Sequence, residues 1–360
     1  MRRGHFAAFA PLCPRCAARP PLVLSQVLAE QAADVLAGLL LCPSCESEYP
    51  IIDGIPLILP DVARALAERG IELLLRDDLD PALESLIGDA LGPATWFDTW
   101  RQTASTYGWD GWADLDPGEP ADEAPGAVRR CLARLLQLAG AMPAPPARVL
   151  DLGCAAGRSS FDLAARFPDA LVLGADAGLG LLRLARGALA GRIDYPRRRI
   201  GLVYDRRRFA VAPAGAERVD FWACDALALP FAAAGFDLVA ALNLLDCVAA
   251  PAQLLSALAA SLTPGGHLLL ATPYDWSPRA TPPETWIGGH SQRAAHGGAG
   301  EPFLRTLLTE GAHPRSAAGL RLCGEEAGFP WATRLHARAS VAYRSHLLAL
   351  ARTAVADRIS

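Results

Sequence analysis

The stretch VLDLGCAAGRSS, Val149 to Ser160, runs from an apolar segment through two glycines into small polar residues. It reads as a strand, a tight turn and the start of a helix. Gly153 and Gly157 let the backbone approach a ligand closely, and a helix start offers free amides. Position 155 is alanine. The spacing is therefore not G-x-G-x-x-G, which favours a ligand without a pyrophosphate. A glycine turn of this kind also occurs purely for packing. The acids that follow weigh against that reading. Asp176 ends the next apolar segment, where a carboxylate can take both hydroxyls of a ribose. Asp225 ends the third and is placed to accept from an exocyclic adenine amine.

Outward from this turn the chain alternates. Leu132, Leu135, Leu136 and Leu138 mark a helix, RVLDLG a strand, SSFDLAARF a helix, ALVLGAD a strand and LGLLRLARGALA a helix. VDFWACD, FDLVAALN and HLLLATP read as strands, with AQLLSALAASL as a helix. The pattern predicts an α/β fold, a doubly wound, mostly parallel, seven-stranded Rossmann-like sheet over residues 127–360. Residues 1–60 form a separate small region ending in a hairpin at Ile51 to Pro60. Residues 61–126 are a connector. It has helical periodicity at Val62, Leu66 and Ile71 to Leu75, then the aromatic cluster TWFDTWRQTASTYGWDGW, then DPGEPADEAPG, which reads as a linker.

Among 360 residues there is no lysine, which excludes a lysine Schiff base and a phosphate loop with its lysine. The net charge of −4 gives no global field for nucleic acid. Arg197 to Arg199 and Arg206 to Arg208 form two local basic knots, read as a solvated hairpin or as a clamp on a substrate carboxylate. No apolar run is long enough for a membrane span, so a soluble cytoplasmic protein is expected, with oligomeric state open. Nine cysteines include two tight pairs, Cys13/Cys16 and Cys42/Cys45, flanking a helix-like segment from Val23 to Leu41. Four thiolates suit tetrahedral Zn2+ in a closed, structural site.

The ordered motifs DLGCAAG, Asp176, CDALALPF, FDLVAALNLL and LTPGGHLLL resemble a class I S-adenosylmethionine-dependent methyltransferase over about residues 127–272. That resemblance implies S-adenosyl-L-methionine as cofactor, contacted by Asp151, Gly153, Cys154, Gly157, Asp176, Asp225, Ala226 and Asn243. Cys154 and Cys224 themselves read as small apolar contacts rather than nucleophiles.

LDLGCAAGRSSFDLA, VDFWACDALALP, FDLVAALNLLDCVAAP and above all TPYDWSPRATPPETWIGG, Thr272 to Gly289, resemble the 4-mercaptohistidine N1-methyltransferase family. The implied reaction is methyl transfer to a nitrogen of a small, histidine-derived imidazole, with Tyr274, Asp246 and Asn243 as candidate catalytic residues. Two acids of that family are absent. YPRRRIG, Tyr195 to Gly201, stands where a Glu-Gly element is expected, and Leu335 stands between Arg334 and Arg338 in place of an acid. An acceptor with more negative charge than mercaptohistidine is therefore expected.

Trp276, Trp286 and the cluster Trp96, Trp100, Tyr107, Trp109 and Trp112 are candidates for a site wall or simply core. The tract from Gly288 to Gly300 reads as a flap. His290, His296 and His336 carry no positional signal for a base. ESEYPIIDGIPLIL resembles the ending of the Trm112-like zinc domain, a partner of methyltransferases, here fused to its client. The competing readings are an RNA base methyltransferase with a zinc ribbon and a non-catalytic cofactor-binding regulator.

Overall fold

The computed structural model describes residues 1–74, 80–120, 124–310, 313–317 and 319–353. After a short helix α1 (Arg3–Phe9), four strands follow: β1 (Val23–Gln31), β2 (Asp34–Leu41), β3 (Glu48–Ile52) and β4 (Ile55–Ile58). Three helices come next, α2 (Val62–Leu74), α3 (Pro81–Leu91) and α4 (Trp96–Trp112). The alternating part begins with α5 (Ala127–Ala139), β5 (Arg148–Leu152), α6 (Arg158–Arg166), β6 (Leu171–Asp176) and α7 (Leu179–Leu189). A hairpin of β7 (Arg192–Ile200) and β8 (Val203–Ala210) precedes β9 (Val219–Cys224), β10 (Phe236–Leu242), α8 (Pro251–Ser261) and β11 (Leu262–Thr272). The chain closes with α9 (Gly300–Arg305) and the long antiparallel pair β12 (Leu320–His336) and β13 (Ala339–Arg352).

Among the described residues the main sheet has eleven strands, in the order β1-β2-β3-β4-β9-β6-β5-β10-β11-β13-β12, where seven were expected. Seven of them, from β9 to β12, come from the alternating part. The other four belong to the N-terminal region and extend the same sheet, because β4 pairs in parallel with β9 through Leu57/Ala223 and Ile58/Cys224. The run IPLI is buried at every residue, and a strand apolar on both faces is stable only where both faces are covered. Pairing with β9 places Ile55 and Leu57 in the core on one face of the sheet and Ile58 in the core on the other.

The helix-like reading of Val23 to Leu41 is corrected. That segment is the antiparallel hairpin β1/β2, with Val27 opposite Gly38 and Gln31 opposite Asp34. Its leucines and alanines favour helix by propensity, but pairing of β2 with β3 overrides so weak a preference. Leu75 in the connector and residues 121–123 in the linker lie outside the described residues.

The aromatic cluster forms α4. Thr95 caps it by accepting from the Asp98 amide at 3.4 Å, and Asp98 accepts from the Ala94 amide at 3.0 Å. Trp109 and Trp112 are buried, whereas Trp96 and Tyr107 are exposed. The Trp112 indole donates to the Ala156 carbonyl at 2.9 Å, so the helix braces the glycine turn directly. None of the helices is long and apolar enough to cross a membrane, among the described residues.

Candidate active site and cysteine cluster

Strands β9, β6, β5, β10 and β11 lie side by side and parallel. Their carboxyl ends therefore form one row, carrying in turn Asp225, Asp176, Gly153, Asn243 and Tyr274. Such a row is where open α/β sheets bind ligands.

At the centre of this row Gly153 has φ +78°, a conformation that favours glycine. Asp176 holds the turn from the neighbouring strand, with Oδ2 accepting from Ala155 N at 3.0 Å and Oδ1 from Gly178 N at 2.7 Å. It stays partly exposed, as do Asp225 and Ala226. The Asp225 carboxylate accepts from Leu227 N at 2.9 Å.

Asp151 sits beneath the turn, only 1% exposed, and accepts from the hydroxyls of Ser159 and Ser160 at 2.6 Å each. Burial pushes its pKa up to about 6 despite those donors. Its contacts lock the first turn of α6 onto β5. Gly157 lies against the core, where a Cβ would come within 2.7 Å of both Ala185 and Phe221. Cys154 is buried, and burial raises its thiol well above the usual range, as expected of an apolar contact.

On the other side, Asn243 and Tyr274 both adopt left-handed backbone, with φ of 52° and 56°. Asparagine tolerates this, but for a bulky residue it is uncommon. Asp246 is 3% exposed. Its Oδ2 accepts from Asp275 N at 2.9 Å, while Oδ1 has no partner, and burial pushes its pKa up to about 6. Burial, with Asp275 and Asp246 in electrostatic reach, holds the Tyr343 phenol above its ordinary range.

Tyr107 of α4 is 44% exposed, yet burial dominates the rise in its pKa, with Cys247, Asp176, Tyr343 and Asp246 all in electrostatic reach. Cys247 is likewise exposed and likewise pushed up, to about 12, by desolvation. Tyr107 and Cys247 therefore stand near the strand-end row, within electrostatic reach of both Asp176 and Asp246.

The loop after β11 forms a further concavity of about 560 Å³, walled by Tyr274, Trp276, Trp286, His290, Gln292 and Glu301. Trp276 and Trp286 stack at 6.2 Å with 14° between their planes. Thr281 is fully buried and donates to the carbonyls of Asp246 and Val248, and the Trp286 indole donates to the Thr281 carbonyl at 2.8 Å. The threonine and tryptophan of the quoted motif thus fold the loop back over the end of β10.

His346, Glu325 and Tyr343 escape the sequence reading, whereas Tyr274 and Tyr107 are among its candidates. Tyr274 Oη lies 2.6 Å from Nδ1 of His346, and Nε2 of His346 lies 2.5 Å from Glu325. Tyr107 and Tyr343 come from α4 and β13. The one sequence signal for His346 is a lone histidine leading an apolar strand, SHLLALAR, which is more often a satisfied core residue.

The basic knots lie on the β7/β8 hairpin as expected, but their guanidinium groups are occupied. Arg197 pairs with Glu119 at 2.8 Å, Arg207 with Asp116, Arg206 and Arg208 with Asp194, and Arg199 with Asp205. Arg198 donates to the Gly201 carbonyl at 2.8 Å. The acids of the linker thus partner the arginines of the hairpin.

In the N-terminal region the sulfurs of Cys13, Cys16, Cys42 and Cys45 all lie within 4.8 Å of one another. The Cys13/Cys45 and Cys16/Cys42 separations are 3.7 and 3.8 Å. A tetrahedron with metal–sulfur bonds of about 2.3 Å has edges of about 3.8 Å, so the four thiols fit Zn2+. Cys45 N points at the Cys42 sulfur at 3.5 Å, and the Tyr49 hydroxyl lies 3.2 Å from that of Cys13.

Compared with known proteins, residues 125–330 match a family described as a methyltransferase domain. A stretch of 48 residues is 52% identical to trans-aconitate 2-methyltransferase of Methylobacterium nodulans, covering 13% of this chain and 19% of that protein's length. Similar solved structures include the [4+2]-cyclase SpnF, at 15% identity and TM-score 0.41, covering 66% of this chain and 86% of that one. An O-methyltransferase family protein from Burkholderia thailandensis aligns at 19% identity and TM-score 0.38, over 64% of this chain and 58% of that one. Likeness at this level assigns neither substrate nor mechanism. The family match covers more than half of the chain, and the chain therefore belongs to the methyltransferase-domain family.

Proposed function

We propose that this protein is an S-adenosylmethionine-dependent methyltransferase acting on a nitrogen of a small, imidazole-type acceptor. The cofactor supplies an activated methyl on a sulfonium. Gly153, Asp176, Asp225 and Ala226 would hold it, with Asp151, Cys154 and Gly157 supporting the turn from below and Asn243 at the edge. A half-exposed acid at a strand end, beside a glycine turn with free backbone, suits a ribose-bearing ligand.

The observation that carries the acceptor reading is Asp246. Its buried carboxyl has one oxygen without a partner and a pKa of about 6, and it stands beside Asp275, Tyr343 and Tyr107. A group of acids and phenols with a spare acceptor oxygen complements an N–H donor. Asp246 and Tyr274 would orient the acceptor and fix its tautomer, leaving alignment as the main catalytic task. The expectation of a more anionic acceptor loses its support, since Arg197 and Arg199 are already paired with acids and Arg198 donates to the Gly201 carbonyl.

The same pairing disfavours the RNA reading, because phosphate binding needs cations free to neutralise it. A small-molecule acceptor is the partner proposed. Zn2+ is proposed for the four cysteines, where it would complete a closed site and hold β1 to β4 together.

Calorimetry with S-adenosylmethionine and its demethylated product tests the cofactor. Methyl-labelled cofactor offered with histidine, mercaptohistidine, imidazole and bulk RNA tests the acceptor. Label in the imidazoles supports the reading, and label confined to RNA overturns it.

A further inference from the structure

Tyr274 belongs to a hydrogen-bonded series that leads away from the concavity after β11. Its hydroxyl meets Nδ1 of His346 at 2.6 Å, Nε2 of His346 meets Oε1 of Glu325 at 2.5 Å, and Arg305 Nε donates to the same oxygen at 2.7 Å. His346 is 1% exposed, whereas Arg305 is at the surface, so the series runs from the pocket wall to solvent. An ionised carboxylate only accepts, so Nε2 carries the imidazole proton and Nδ1 is free to accept from the phenol.

The tyrosine is held for this contact. A Cβ on Gly300 would lie 2.7 Å from its ring, so that position admits the ring only as glycine, and the Tyr274 backbone is left-handed. Strain of that kind persists where the surroundings enforce it and gathers at functional sites.

We propose that Tyr274, His346 and Glu325 form a proton relay on the acceptor side of the site, and that the acceptor's reacting atom bears a proton that must leave. The proposal rests on the reading of Tyr274 as a wall of the acceptor site. The acceptor's N–H proton passes to Tyr274 Oη as the phenol's own proton passes to His346 Nδ1. The electron pair left on the acceptor nitrogen would form the new N–CH3 bond while the methyl's bond to the donor sulfur breaks, the pair of that bond staying on the sulfur. The imidazolium is held opposite the Glu325 carboxylate, which takes the Nε2 proton and releases it to water at its partly exposed edge. Nothing is oxidised or reduced. Tyr274 is the catalytic residue; His346 and Glu325 are positioning residues acting through it.

The charged and titratable groups facing His346 are Tyr274, Glu325 on β12, and Glu301 and Arg305 on α9. Burial outweighs the acids and lowers the histidine's pKa, leaving it uncharged and able to accept at neutral pH. Burial also raises Tyr274, so the phenol keeps its proton until His346 takes it. Both directions suit a conduit rather than a resident phenolate. An imidazole N–H can use such a relay, because its loss makes the ring the stronger nucleophile; a carboxylate or a tertiary amine has no such proton to give.

The test uses two probe acceptors of similar size with methyl-labelled cofactor: imidazole, which has an N–H the relay can take, and 1-methylimidazole, which has none. Tyr274→Phe and His346→Gln are expected to reduce transfer to imidazole by about 10²-fold or more, the scale of a lost general base, and transfer to 1-methylimidazole by a much smaller factor, with cofactor affinity unchanged. Equal loss on both probes overturns the relay in favour of a structural role. Full-length protein labelled with ¹⁵N-histidine gives a second readout independent of turnover, with His346 assigned from the His346→Gln spectrum. The relay requires Nδ1 unprotonated and Nε2 protonated at pH 7, and a further lowered His346 midpoint in Glu325→Gln; a proton on Nδ1 overturns it. Should the wild type methylate neither probe, the imidazole reading falls and the nitrogen spectrum alone decides the relay.

Discussion

Asp246 Oδ2 accepts the backbone N–H of Asp275 at 2.9 Å, tying the segment after β10 to the segment after β11. One carboxylate thereby joins two loops that reach the site from neighbouring strands, and its second oxygen is left without a partner.

That arrangement makes Asp246 costly to ionise. Its folded pKa is about 6 against an ordinary value of 3.8, so the native state binds the proton more tightly than the unfolded chain. The stability it contributes is greatest below pH 4 and is lost as pH rises through 6. Asp246→Asn keeps an oxygen for the Asp275 amide and removes the penalty. At pH 7 it should be the more stable protein by on the order of 2 kcal/mol, the gain fading between pH 6 and 4, while methyl transfer falls at least tenfold. Urea denaturation across pH checks this; a gain that persists at pH 4 would contradict it.

Gly157→Ala should be the more damaging of the two glycine substitutions for folding. The new methyl meets Ala185 and Phe221 in the core at 2.7 Å, on a backbone with φ +81°. A loss of about 2–4 kcal/mol is expected from overpacking and strain together. At Gly153 a methyl would meet only the Leu244 side chain, at 3.1 Å, so stability should fall less and cofactor affinity more. Denaturant midpoints and calorimetry on both variants separate the effects, and equal stability losses would refute the distinction.

Removal of metal should act first on β1 to β3. Chelation, or serine at Cys16 and Cys45, is expected to speed amide exchange there and lower Tm by several degrees, with about one Zn2+ per chain released. Because β4 is paired to β9, whose end carries Asp225, a smaller loss of cofactor affinity should follow. Unchanged exchange in β1 to β3 would argue against any metal at the four thiols.

The hairpin arginines lead to a prediction about salt. With Asp116 nearly buried beneath Arg207, Arg207→Ala strands a carboxylate and should cost about 2–4 kcal/mol. Burial opposes ionisation of Asp116, but its hydrogen bonds with Arg207 and Gly118 win and hold the carboxyl below its ordinary value, so wild-type stability from this pair is present above pH 4 and lost as pH falls below it. Binding to single-stranded RNA should be weak, with a shallow salt slope. A steep slope, as for a protein neutralising six or more phosphates, would restore the RNA reading.

Much of the catalytic half was legible because its signals are local. Val149 to Ser160 announced its strand, turn and helix through apolar run, glycines and polar start, and Asp176 and Asp225 stand at strand ends as their spacing indicated. The paired cysteines likewise predicted their own convergence, now seen as four sulfurs at tetrahedral separations. Where apolar periodicity was ambiguous, as in Val23 to Leu41, propensity pointed to helix and strand pairing decided otherwise.

The sequence by itself determined the parallel strand-end row that carries the glycine turn and its acids, since each piece depends on neighbours within a few residues. Only the tertiary structure decided that β4 would dock on β9, that Arg197 and Arg207 would pair with Glu119 and Asp116, and that His346 and Glu325 would stand behind Tyr274. Those contacts join segments tens to more than a hundred residues apart. They arise because a buried charge or a strand edge must find a partner, and the packing of the whole sheet determines which partners are within reach.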